Sequence, residues 1–468
     1  MLNYKDNPKE YVSEIIERSR AAQKSIEFAS QEEVDKLCAY IACAGTREDF
    51  AKELATLAQE ESKMGRSDSK FGKIMVKVKG VYRDVKGQKS VGIIEEDHQK
   101  GLVKIAKPMG VIGALIPCTN PEATPFCKAV SAIKTRNSIV MCPHPRTKQT
   151  GIMAANKIRE TLKNLGYPED LVIMIDAISL DVTDQVMKQC DVVLATGGSA
   201  MVKAAYSSGT PSLGVGAGNA AVIVDETVDI EDVADKIYRS KTFDNATSCS
   251  AENEVIIHSS IYQDLINALI NKNAYLLNSE EKEQLKNTMW IDGVLNRKVV
   301  AQKAIDIAKL AKLNVPENTE ILMVEGDGIG EVEPFSGEKL SVVMTLYKYD
   351  DFNDAIQMVN DITDYSGAGH SCGLHSTDKD KALLLGTKVK VSRIMINQPQ
   401  CLANSGAWTN GMPMTMSLGC GSWGGNSSCD NISWKNMLNT TWVSFPIAST
   451  QPSDEELFTK EILDAVGV

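Results

Sequence analysis

Residues 242–252 read Thr-Phe-Asp-Asn-Ala-Thr-Ser-Cys-Ser-Ala-Glu, and they place Cys249 in a turn of small and polar residues. The apolar run at residues 255–257 follows directly. An attacking thiol has to be partly exposed and held near groups that favour its ionised form, whereas a structural cysteine usually lies among aliphatic side chains. The stretch therefore predicts that Cys249 is a nucleophile.

The chain has ten further cysteines, and a free cysteine is most often a small buried hydrophobe. Four of them follow helical or strand-like patterns and are interpreted as packing residues: Cys38, Cys43, Cys142 and Cys190. Five of the other six lie in polar or glycine-rich segments: Cys118, Cys372, Cys401, Cys420 and Cys429. Composition alone does not choose among them, so the choice depends on the surrounding segments.

Seven segments together resemble the aldehyde dehydrogenase superfamily, and most closely its CoA-acylating branch. Residues 243–249 are similar to that family's nucleophile loop. The other six segments occur in the family's order, at residues 117–121, 143–146, 195–203, 214–219, 333–340 and 418–426. Several of them resemble the aldehyde half of the bifunctional alcohol/aldehyde dehydrogenases. The resemblance implies an α/β fold with a Rossmann-like NAD-binding domain, an α/β catalytic domain and a β oligomerisation arm.

Size and composition fit a large globular enzyme. With 468 residues, 43% of them hydrophobic and 24% charged, the chain can bury a large core and form two or three domains. No run approaches the ~18 apolar residues that cross a bilayer, and the N-terminus lacks a signal-peptide core, so we expect a cytoplasmic protein that is not bound to membranes. A net charge of -11 without a basic stripe argues against nucleic acid as a partner.

The eleven cysteines and five histidines indicate reduced thiols rather than a disulfide framework or a metal centre. The cysteines lack the paired spacing of metal sites, and the histidines are too few and too scattered for a zinc cluster. We therefore expect no metal.

The pattern of apolar residues divides the chain into regions. Residues 9–64 have helical periodicity, and from about residue 100 strand-like runs alternate with amphipathic helices, which is typical of βαβ units and a parallel sheet. We assign residues 1–90 and 108–240 to the NAD-binding domain and residues 241–435 to the catalytic domain. The remaining segments, 91–107 and 436–468, form the arm and a C-terminal tail.

Two peripheral segments leave alternatives open. Residues 91–107 and 436–446 are β-prone; in the resembled family they pair with another subunit, which implies a homodimer or homotetramer, but ordinary edge strands explain them equally well. The tail carries a short amphipathic helix in which Ser453 and Glu456 have capping-box spacing. Amphipathicity favours packing of this helix on its own subunit; docking on a partner or a microcompartment shell is the alternative.

The cofactor argument begins at residues 192–199, an apolar run that leads into a Gly-Gly turn and a helix. Glycine allows close approach of the backbone, and the amides at a helix N-terminus suit a pyrophosphate. On its own the pattern is ordinary turn chemistry, without the full Gly-x-Gly-x-x-Gly motif. The resemblance implies an NAD or NADP site formed by Thr196, Gly197, Gly198, Met201, Pro143 and His144, with Glu338 on the nicotinamide ribose.

The same resemblance supplies a mechanism. The Cys249 thiolate attacks an aldehyde, and Asn120 together with the backbone N–H of Cys249 stabilises the resulting oxyanion. Hydrolytic relatives activate water with a glutamate, yet no Asp or Glu occurs between Ser199 and Ala221. We therefore expect coenzyme A, whose thiol is intrinsically nucleophilic, to take the acyl group. His370 is a weaker candidate for positioning CoA or aldehyde, and a surface-loop histidine without a role is the alternative.

The substrate is less defined than the reaction. The default is acetaldehyde or another short aldehyde, and residues 242–249 also look like the acylating sulfoacetaldehyde dehydrogenases, whose substrate carries a sulfonate. Polar side chains in residues 404–410 could line a sulfonate pocket, or they could form an ordinary surface loop. Two other functions stay open: a hydrolytic dehydrogenase that gives free acid, and a non-catalytic nucleotide-binding homologue.

Overall fold

The computed structural model describes residues 6–467 and consists of helices packed on two large parallel sheets. The α-helices are α1 (Pro8–Lys24), α2 (Gln31–Gly45), α3 (Glu48–Ser62), α4 (Ser67–Lys73), α5 (Lys79–Val85), α6 (Thr124–Lys134), α7 (Lys148–Asn164), α8 (Leu180–Gln189), α9 (Ser199–Tyr206), α10 (Ile230–Thr242), α11 (Tyr262–Asn271), α12 (Ser279–Met289), α13 (Ala304–Leu310), α14 (Phe352–Tyr365), α15 (Lys379–Lys388), α16 (Gln400–Ala403), α17 (Asp454–Leu457) and α18 (Lys460–Val466). One π-helical turn, Ile74–Val78, joins α4 to α5.

The strands alternate with these helices along most of the chain. They are β1 (Gly92–Asp97), β2 (Leu102–Pro108), β3 (Val111–Ile116), β4 (Ser138–Pro143), β5 (Val172–Met174), β6 (Val192–Thr196), β7 (Ser212–Val215), β8 (Ala220–Val224), β9 (Glu252–His258), β10 (Ala274–Leu276), β11 (Trp290–Ile291), β12 (Val294–Leu295), β13 (Ile321–Glu325), β14 (Val343–Tyr349), β15 (Cys372–His375), β16 (Ile394–Ile396) and β17 (Leu438–Ser444).

The first sheet has the strand order β5-β4-β3-β6-β7, and all its pairs are parallel. Both faces are buried because successive side chains of a strand point to opposite sides. In β3, Ile112 and Ala114 enter the core beneath α2, α6 and α7, whereas Val111 and Leu115 enter the core beneath α1 and α8. This alternation confirms the α/β class that the sequence predicts.

The second sheet has the strand order β10-β13-β14-β9-β8-β15-β16 and is also parallel. It includes β8, and α10 packs on it through Val233 and Ile237. The boundary assigned at residue 240 is therefore wrong, because the chain enters the second sheet with β8 at Ala220. A short apolar strand has the same pattern in either sheet, so periodicity alone does not reveal the crossing.

A second correction concerns the end of the catalytic domain. Met414, Ile432, Trp434 and Met437 pack into the core of the first sheet, although residues up to 435 were assigned to the catalytic domain. The glycine-rich segment between them thus spans both sheets. Cys43 is also exposed, so its assignment as a packing residue is wrong, while Cys38, Cys142 and Cys190 are buried.

The arm segments meet in a three-stranded antiparallel sheet, β1-β2-β17. Beyond it, Ser453 and Glu456 form the expected capping box at the start of α17. The tail does not pack on its own subunit, because its apolar side chains lie in solvent; Leu457 is 58% exposed and Val466 is 68% exposed. The expectation of intramolecular packing is therefore wrong.

None of the helices within residues 6–467 combines the length and apolar character needed to cross a membrane. Over the same residues, no group of three His, Cys, Asp or Glu side chains is arranged to hold a metal ion. All eleven cysteines are free thiols.

Candidate active site

The candidate site lies where two sheet edges meet. Asn120, His144 and Gly197 follow β3, β4 and β6, which are neighbours in the first sheet, so they share its carboxyl edge. Cys249 and His370 precede β9 and β15, which flank β8 in the second sheet, so they share its amino edge. Only four residues form the crossing between the sheets: β7 ends at Val215 and β8 begins with Ala220, with residues 216–219 between them. The sheet order thus explains how segments more than 100 residues apart converge.

The nucleophile loop has an unusual backbone. Asp244, Asn245 and Ala246 all have positive φ, at 51°, 52° and 58°. Residues with side chains rarely adopt this conformation, and it persists only where surrounding contacts hold it. Cys249, at the end of this loop, is partly buried as a residue. Gly218 fits beside it only because it lacks a side chain, since a Cβ there would lie 2.2 Å from the Cys249 carbonyl oxygen.

Cys249 forms its closest polar contact with His370. The distance from His370 Nε2 to the Cys249 sulfur is 3.1 Å, and His370 Nδ1 lies 2.8 Å from Ser371 Oγ. Asn404 donates to the same Ser371 oxygen at 2.8 Å. His370 is fully buried, so the alternative of a surface-loop histidine is wrong. Cys249 and His370 form a Cys–His pair with a polar support behind the imidazole.

Burial keeps both members of this pair uncharged. It raises the pKa of the Cys249 thiol, and the nearby Glu338 carboxyl acts in the same direction. It lowers the pKa of His370 to about 3, with the positive charge of Arg393 as the second cause. At neutral pH the pair is therefore a thiol beside a neutral imidazole, which can accept a proton.

Arg393 is a site residue that sequence reasoning missed. Its guanidinium is buried and donates to main-chain oxygens, at 3.2 Å to His370 and 2.8 Å to Cys429, and also to the Gly419 oxygen. It therefore ties the histidine loop to the glycine-rich segment. Arg393 directly precedes β16 and has no motif of its own, so only the fold reveals this role.

Asn120 lies partly exposed after β3. Its Oδ1 accepts a hydrogen bond from Lys73 at 2.6 Å, and its Nδ2 donates to Thr119 Oγ1 at 3.1 Å. Lys73 belongs to α4, and nothing in the sequence pointed to it. The backbone N–H of Cys249, the second expected oxyanion donor, has no hydrogen bond to any of residues 6–467.

The residues expected to hold the dinucleotide share the carboxyl edge of the first sheet. Gly198 precedes α9, and a Cβ there would meet nothing within 4 Å, so the backbone amides at the start of α9 face open space. This space and these donors fit a pyrophosphate. Thr196 and Met201 are partly buried beside Gly197, and Lys128 donates to Thr196 Oγ1 at 3.0 Å.

The other residues expected to hold the dinucleotide lie at the end of β4 and in the part of the chain that forms the second sheet. Pro143 ends β4 and is buried, and His144 follows it with its Nδ1 accepting the Arg146 N–H at 3.1 Å. Burial and the positive charge of Arg146 lower the pKa of His144. Glu338 lies across the edge; its Oε1 accepts the Gly218 N–H at 3.2 Å, and burial raises its pKa to about 8.

The polar segment at residues 404–410 divides into buried and exposed parts. Asn404 is buried and supports Ser371, whereas Trp408 is 52% exposed. The Ser405 and Gly406 oxygens accept from the buried Lys77 ammonium at 3.2 Å and 2.7 Å. The segment is thus not an ordinary surface loop throughout, because its main chain accepts hydrogen bonds from a buried lysine of the π-helical turn.

The class of protein follows from comparison with known families and relatives. The model of the aldehyde dehydrogenase family matches residues 1–312. A sulfoacetaldehyde dehydrogenase of an Acholeplasma species is 45% identical over 448 residues, which is 95% of this chain and 92% of that protein. The chain therefore belongs to the aldehyde dehydrogenase family.

Solved structures agree with this assignment. An acetylating aldehyde dehydrogenase from Geobacillus thermoglucosidasius has a TM-score of 0.93 and 33% identity, covering 97% of this chain and 100% of that one. Propionaldehyde dehydrogenase from Rhodopseudomonas palustris with bound propionyl-CoA has a TM-score of 0.83 and 26% identity, covering 93% of this chain and 94% of that one.

Proposed function

We propose that this protein oxidises a short-chain aldehyde to an acyl-CoA, with NAD or NADP as the hydride acceptor, through a thioester on Cys249. The observation that carries the proposal is the 3.1 Å contact between His370 Nε2 and the Cys249 sulfur. It joins a nucleophile to a proton acceptor at the meeting point of the two sheets.

The first step removes the thiol proton of Cys249. Few thiolates form unaided, because burial raises the pKa of this thiol. His370 Nδ1 lies 2.8 Å from Ser371 Oγ, and in the tautomer that donates its Nδ1–H to this hydroxyl the lone pair of Nε2 is directed at the sulfur. His370 therefore accepts the proton as the sulfur attacks the aldehyde carbon.

Attack converts the carbonyl oxygen into an oxyanion, which needs donors already in place. Asn120 supplies a side-chain N–H and Cys249 supplies its own backbone N–H, which has no other acceptor within residues 6–467. Each such donor contributes on the order of 100-fold or more to the rate.

Bound nicotinamide supplies the acceptor for the hydride that leaves the adduct. The amides that open α9, with Gly197 and Gly198, would hold the pyrophosphate, and Glu338 would hold the nicotinamide ribose. Loss of the hydride leaves the acyl group as a thioester on Cys249.

Coenzyme A rather than water takes this acyl group. Hydrolysis requires a general base that activates water, which is a glutamate in the hydrolytic relatives, and no Asp or Glu lies between Ser199 and Ala221. The carboxyl that does lie near Cys249 is Glu338, and burial raises its pKa to about 8, so it carries its proton at neutral pH. A thiol attacks a thioester without such help. The CoA thiol loses its proton to His370 and its sulfur bonds to the acyl carbon; the bond between that carbon and the Cys249 sulfur breaks, Cys249 takes the proton back from His370, and acyl-CoA leaves.

The substrate is a short aldehyde of the acetaldehyde or sulfoacetaldehyde type. Support for the second comes from the similarity to a sulfoacetaldehyde dehydrogenase and from the buried cation of Lys77 beside residues 405–406. Support for the first comes from the likeness to an acetylating enzyme.

The proposal is tested by measuring NADH and NADPH formation from acetaldehyde, propionaldehyde, succinic semialdehyde and sulfoacetaldehyde, each with and without CoA. We expect at least one aldehyde to be oxidised, with acyl-CoA as the product and turnover dependent on CoA. Free acid formed at the same rate without CoA would support a hydrolytic dehydrogenase. No reduced cofactor from any aldehyde, together with retained NAD binding, would support a non-catalytic homologue.

The same proposal includes an oligomer in the cytoplasm. The arm sheet presents apolar side chains to solvent, among them Trp442 at 51% and Phe445 at 56% exposure, and a second subunit would bury them. Eleven free thiols suit a reducing compartment. The exposed tail helix α18 is a docking element for a partner or a microcompartment shell. Light scattering of the purified protein measures the first point, and a monomer would contradict it.

A further inference from the structure

A buried ion cluster lies beneath Asn120 and joins three separate parts of the chain. Lys73 at the end of α4 donates to Asp244 in the nucleophile loop, and its Nζ lies 3.5 Å from a Glu122 carboxylate oxygen. Lys70, one turn earlier on α4, donates to Asp244 at 3.2 Å. Asp244, Glu122 and Lys70 are completely buried, and Lys73 is 7% exposed. Helix α4, the segment after β3 and the nucleophile loop therefore meet at one set of charges.

Lys73 also determines which way the Asn120 amide points. An ammonium group only donates hydrogen bonds, so the amide atom facing Lys73 at 2.6 Å has to be the oxygen. The NH2 group then points away from Lys73. One of its hydrogens is directed to Thr119 Oγ1 at 3.1 Å, and the other stays available. A flipped amide would set NH2 against the ammonium, which is strongly unfavourable.

Lys73 and Asp244 keep their charges despite burial. Burial opposes the ionised form of Asp244, but the positive charges of Lys73 and Lys70 outweigh it and lower the pKa of this carboxyl. Burial likewise opposes the charged form of Lys73, and Asp244 and Glu122 together raise the pKa of its ammonium. Lys73 therefore stays a donor throughout the working pH range.

Asp244 extends the same link to the nucleophile. Its carboxylate accepts the Thr247 hydroxyl at 2.7 Å and the Arg66 N–H at 2.7 Å. Thr247 lies two residues before Cys249. One carboxylate thus holds both the lysine that orients Asn120 and the loop that carries the nucleophile.

We propose that Lys73 is a positioning residue that, anchored by Asp244, fixes the Asn120 amide with an N–H directed at the oxyanion and sets its distance from Cys249. The inference rests on the proposed function, since it concerns the same aldehyde adduct. Removing Lys73 leaves the Asn120 amide free to rotate, so the donor is lost for much of the time.

Lys70 provides a matched control, because it separates stability from positioning. It shares with Lys73 the helix, the burial and the bonds to Asp244 and to the Thr119 carbonyl oxygen, at 3.2 Å for the latter. It has no contact with Asn120. Loss of either lysine breaks a buried ion pair and lowers stability, typically by several kcal/mol. Only loss of Lys73 should affect the oxyanion donor.

The test is a double-mutant cycle on the full-length enzyme with Lys73→Met, Lys70→Met and Asn120→Ala. We expect Lys73→Met to lower kcat about 30- to 100-fold, with KM for the aldehyde nearly unchanged, because the donor acts on the developing oxyanion. In the Asn120→Ala background, Lys73→Met should lower kcat less than threefold further. Lys70→Met should lower kcat less than fivefold and by the same factor in both backgrounds.

Equal effects of Lys73→Met with and without Asn120, or equal effects of the two lysines, would overturn the proposal. If Lys73→Met does not fold, Lys73→Arg, which keeps a donor-only cation, and Lys73→Gln, which allows the amide to flip, take its place. Arg should retain kcat within tenfold and Gln should not; the reverse order would count against positioning.

A crystal structure of each folded variant supplies a readout that needs no turnover. The Asn120 side chain should leave its rotamer in Lys73→Met or Lys73→Gln and keep it in Lys70→Met. An unchanged Asn120 would overturn the positioning role even if the aldehyde assays succeed. Failure of every aldehyde in the wild-type assay would refute the proposed function while leaving this structural result to be read independently.

Discussion

The two sides of Cys249 are equally buried but differ in charge. On one side His370 faces the sulfur, and neither group carries a charge because neither has a counter-ion. On the other side Lys73 and Asp244 lie beneath Asn120 and both stay ionised because they face each other. Burial alone neutralises a group, whereas burial with a partner preserves its charge.

The difference matches what each side has to do. A neutral imidazole beside a neutral thiol can accept the thiol proton as the sulfur attacks, because its lone pair is free. A closed ion pair cannot exchange protons easily, but it holds its neighbours in one geometry. The histidine side is therefore suited to chemistry and the lysine side to positioning, and four measurements examine this division.

Replacing Cys249 with Ala should have the largest effect. Without the sulfur there is no thioester, and kcat for NADH formation should fall about 10⁴-fold or more. The matched control is Cys429→Ala, because Cys429 is exposed and should be dispensable. Turnover of Cys249→Ala within tenfold of wild type would contradict the role of Cys249 as the nucleophile, on which the comparison of the two sides depends.

Replacing His370 with Ala should lower kcat about 100- to 1,000-fold at pH 7. Burial raises the pKa of the Cys249 thiol, so without His370 the thiolate forms only by loss of its proton to solvent. The residual rate should therefore rise about tenfold per pH unit between pH 7 and 9, and the deficit should shrink. Single-turnover measurements of NADH formation across this range test the expectation.

His375 is the control for this experiment. It is also buried, in β15, and burial lowers its pKa to about 4, but it has no contact with Cys249. His375→Ala should therefore leave the pH dependence of the chemical step unchanged. A His370→Ala deficit that stays constant with pH would mean that His370 does not accept the thiol proton.

The histidine side was partly predictable from the sequence and the lysine side was not. Cys249, Asn120 and His370 lie in loops whose composition is informative, because glycines and small polar residues beside apolar runs indicate strand ends. Lys73 lies on a helix among polar residues, where a lysine normally faces water. Its partner Asp244 is 171 residues away, and no local pattern links them.

The same distinction applies to the fold. Strands such as β3 alternate with helices such as α7 as the apolar patterns predict, since periodicity is a local property. Sheet membership is not local, and β8 was therefore assigned to the wrong side of the domain boundary. The prediction for the tail was wrong for a related reason. Amphipathicity reveals that α18 has an apolar face but not what covers that face.

A Gly218→Ala substitution examines how tightly the two sides are joined. The added methyl would lie 2.2 Å from the Cys249 carbonyl oxygen and 2.7 Å from its Cβ, so the nucleophile loop has to move. We expect kcat to fall roughly 10- to 100-fold, because small displacements of reacting groups are costly, and stability to fall by about 1–3 kcal/mol.

Gly72→Ala is the matched control for that substitution. Gly72 lies in α4, and a Cβ there meets nothing within 4 Å, so alanine should leave kcat unchanged and raise the melting temperature slightly. Measured kcat and thermal melting for both variants decide the matter. Full activity of Gly218→Ala would indicate that the loop tolerates displacement and that the geometry is looser than the structure implies.

The smallest expected effect is on the pH dependence of the free energy of unfolding. The histidine side and the lysine side should affect it in different pH ranges. Folding lowers the pKa of His370 from about 6.5 to about 3, so between these values the unfolded chain binds one more proton and stability rises with pH by about 1.4 kcal/mol per unit. His370→Gln should remove that slope between pH 4.5 and 6. Folding also lowers the pKa of Asp244, so its contribution is complete above about pH 4 and is lost only below that value.

Asp244→Asn should therefore lower the free energy of unfolding by a constant amount between pH 4.5 and 6 and leave the slope as it is. Buried carboxyls with raised pKa values act in the opposite direction over this range, among them Glu252 at about 7 and Glu338 at about 8. The informative quantity is therefore the difference in the free energy of unfolding between each variant and the wild type, measured by urea unfolding at each pH. A slope that changes with Asp244→Asn but not with His370→Gln would reverse the assignment of neutral and charged sides, because only a group that binds protons in this window can alter it.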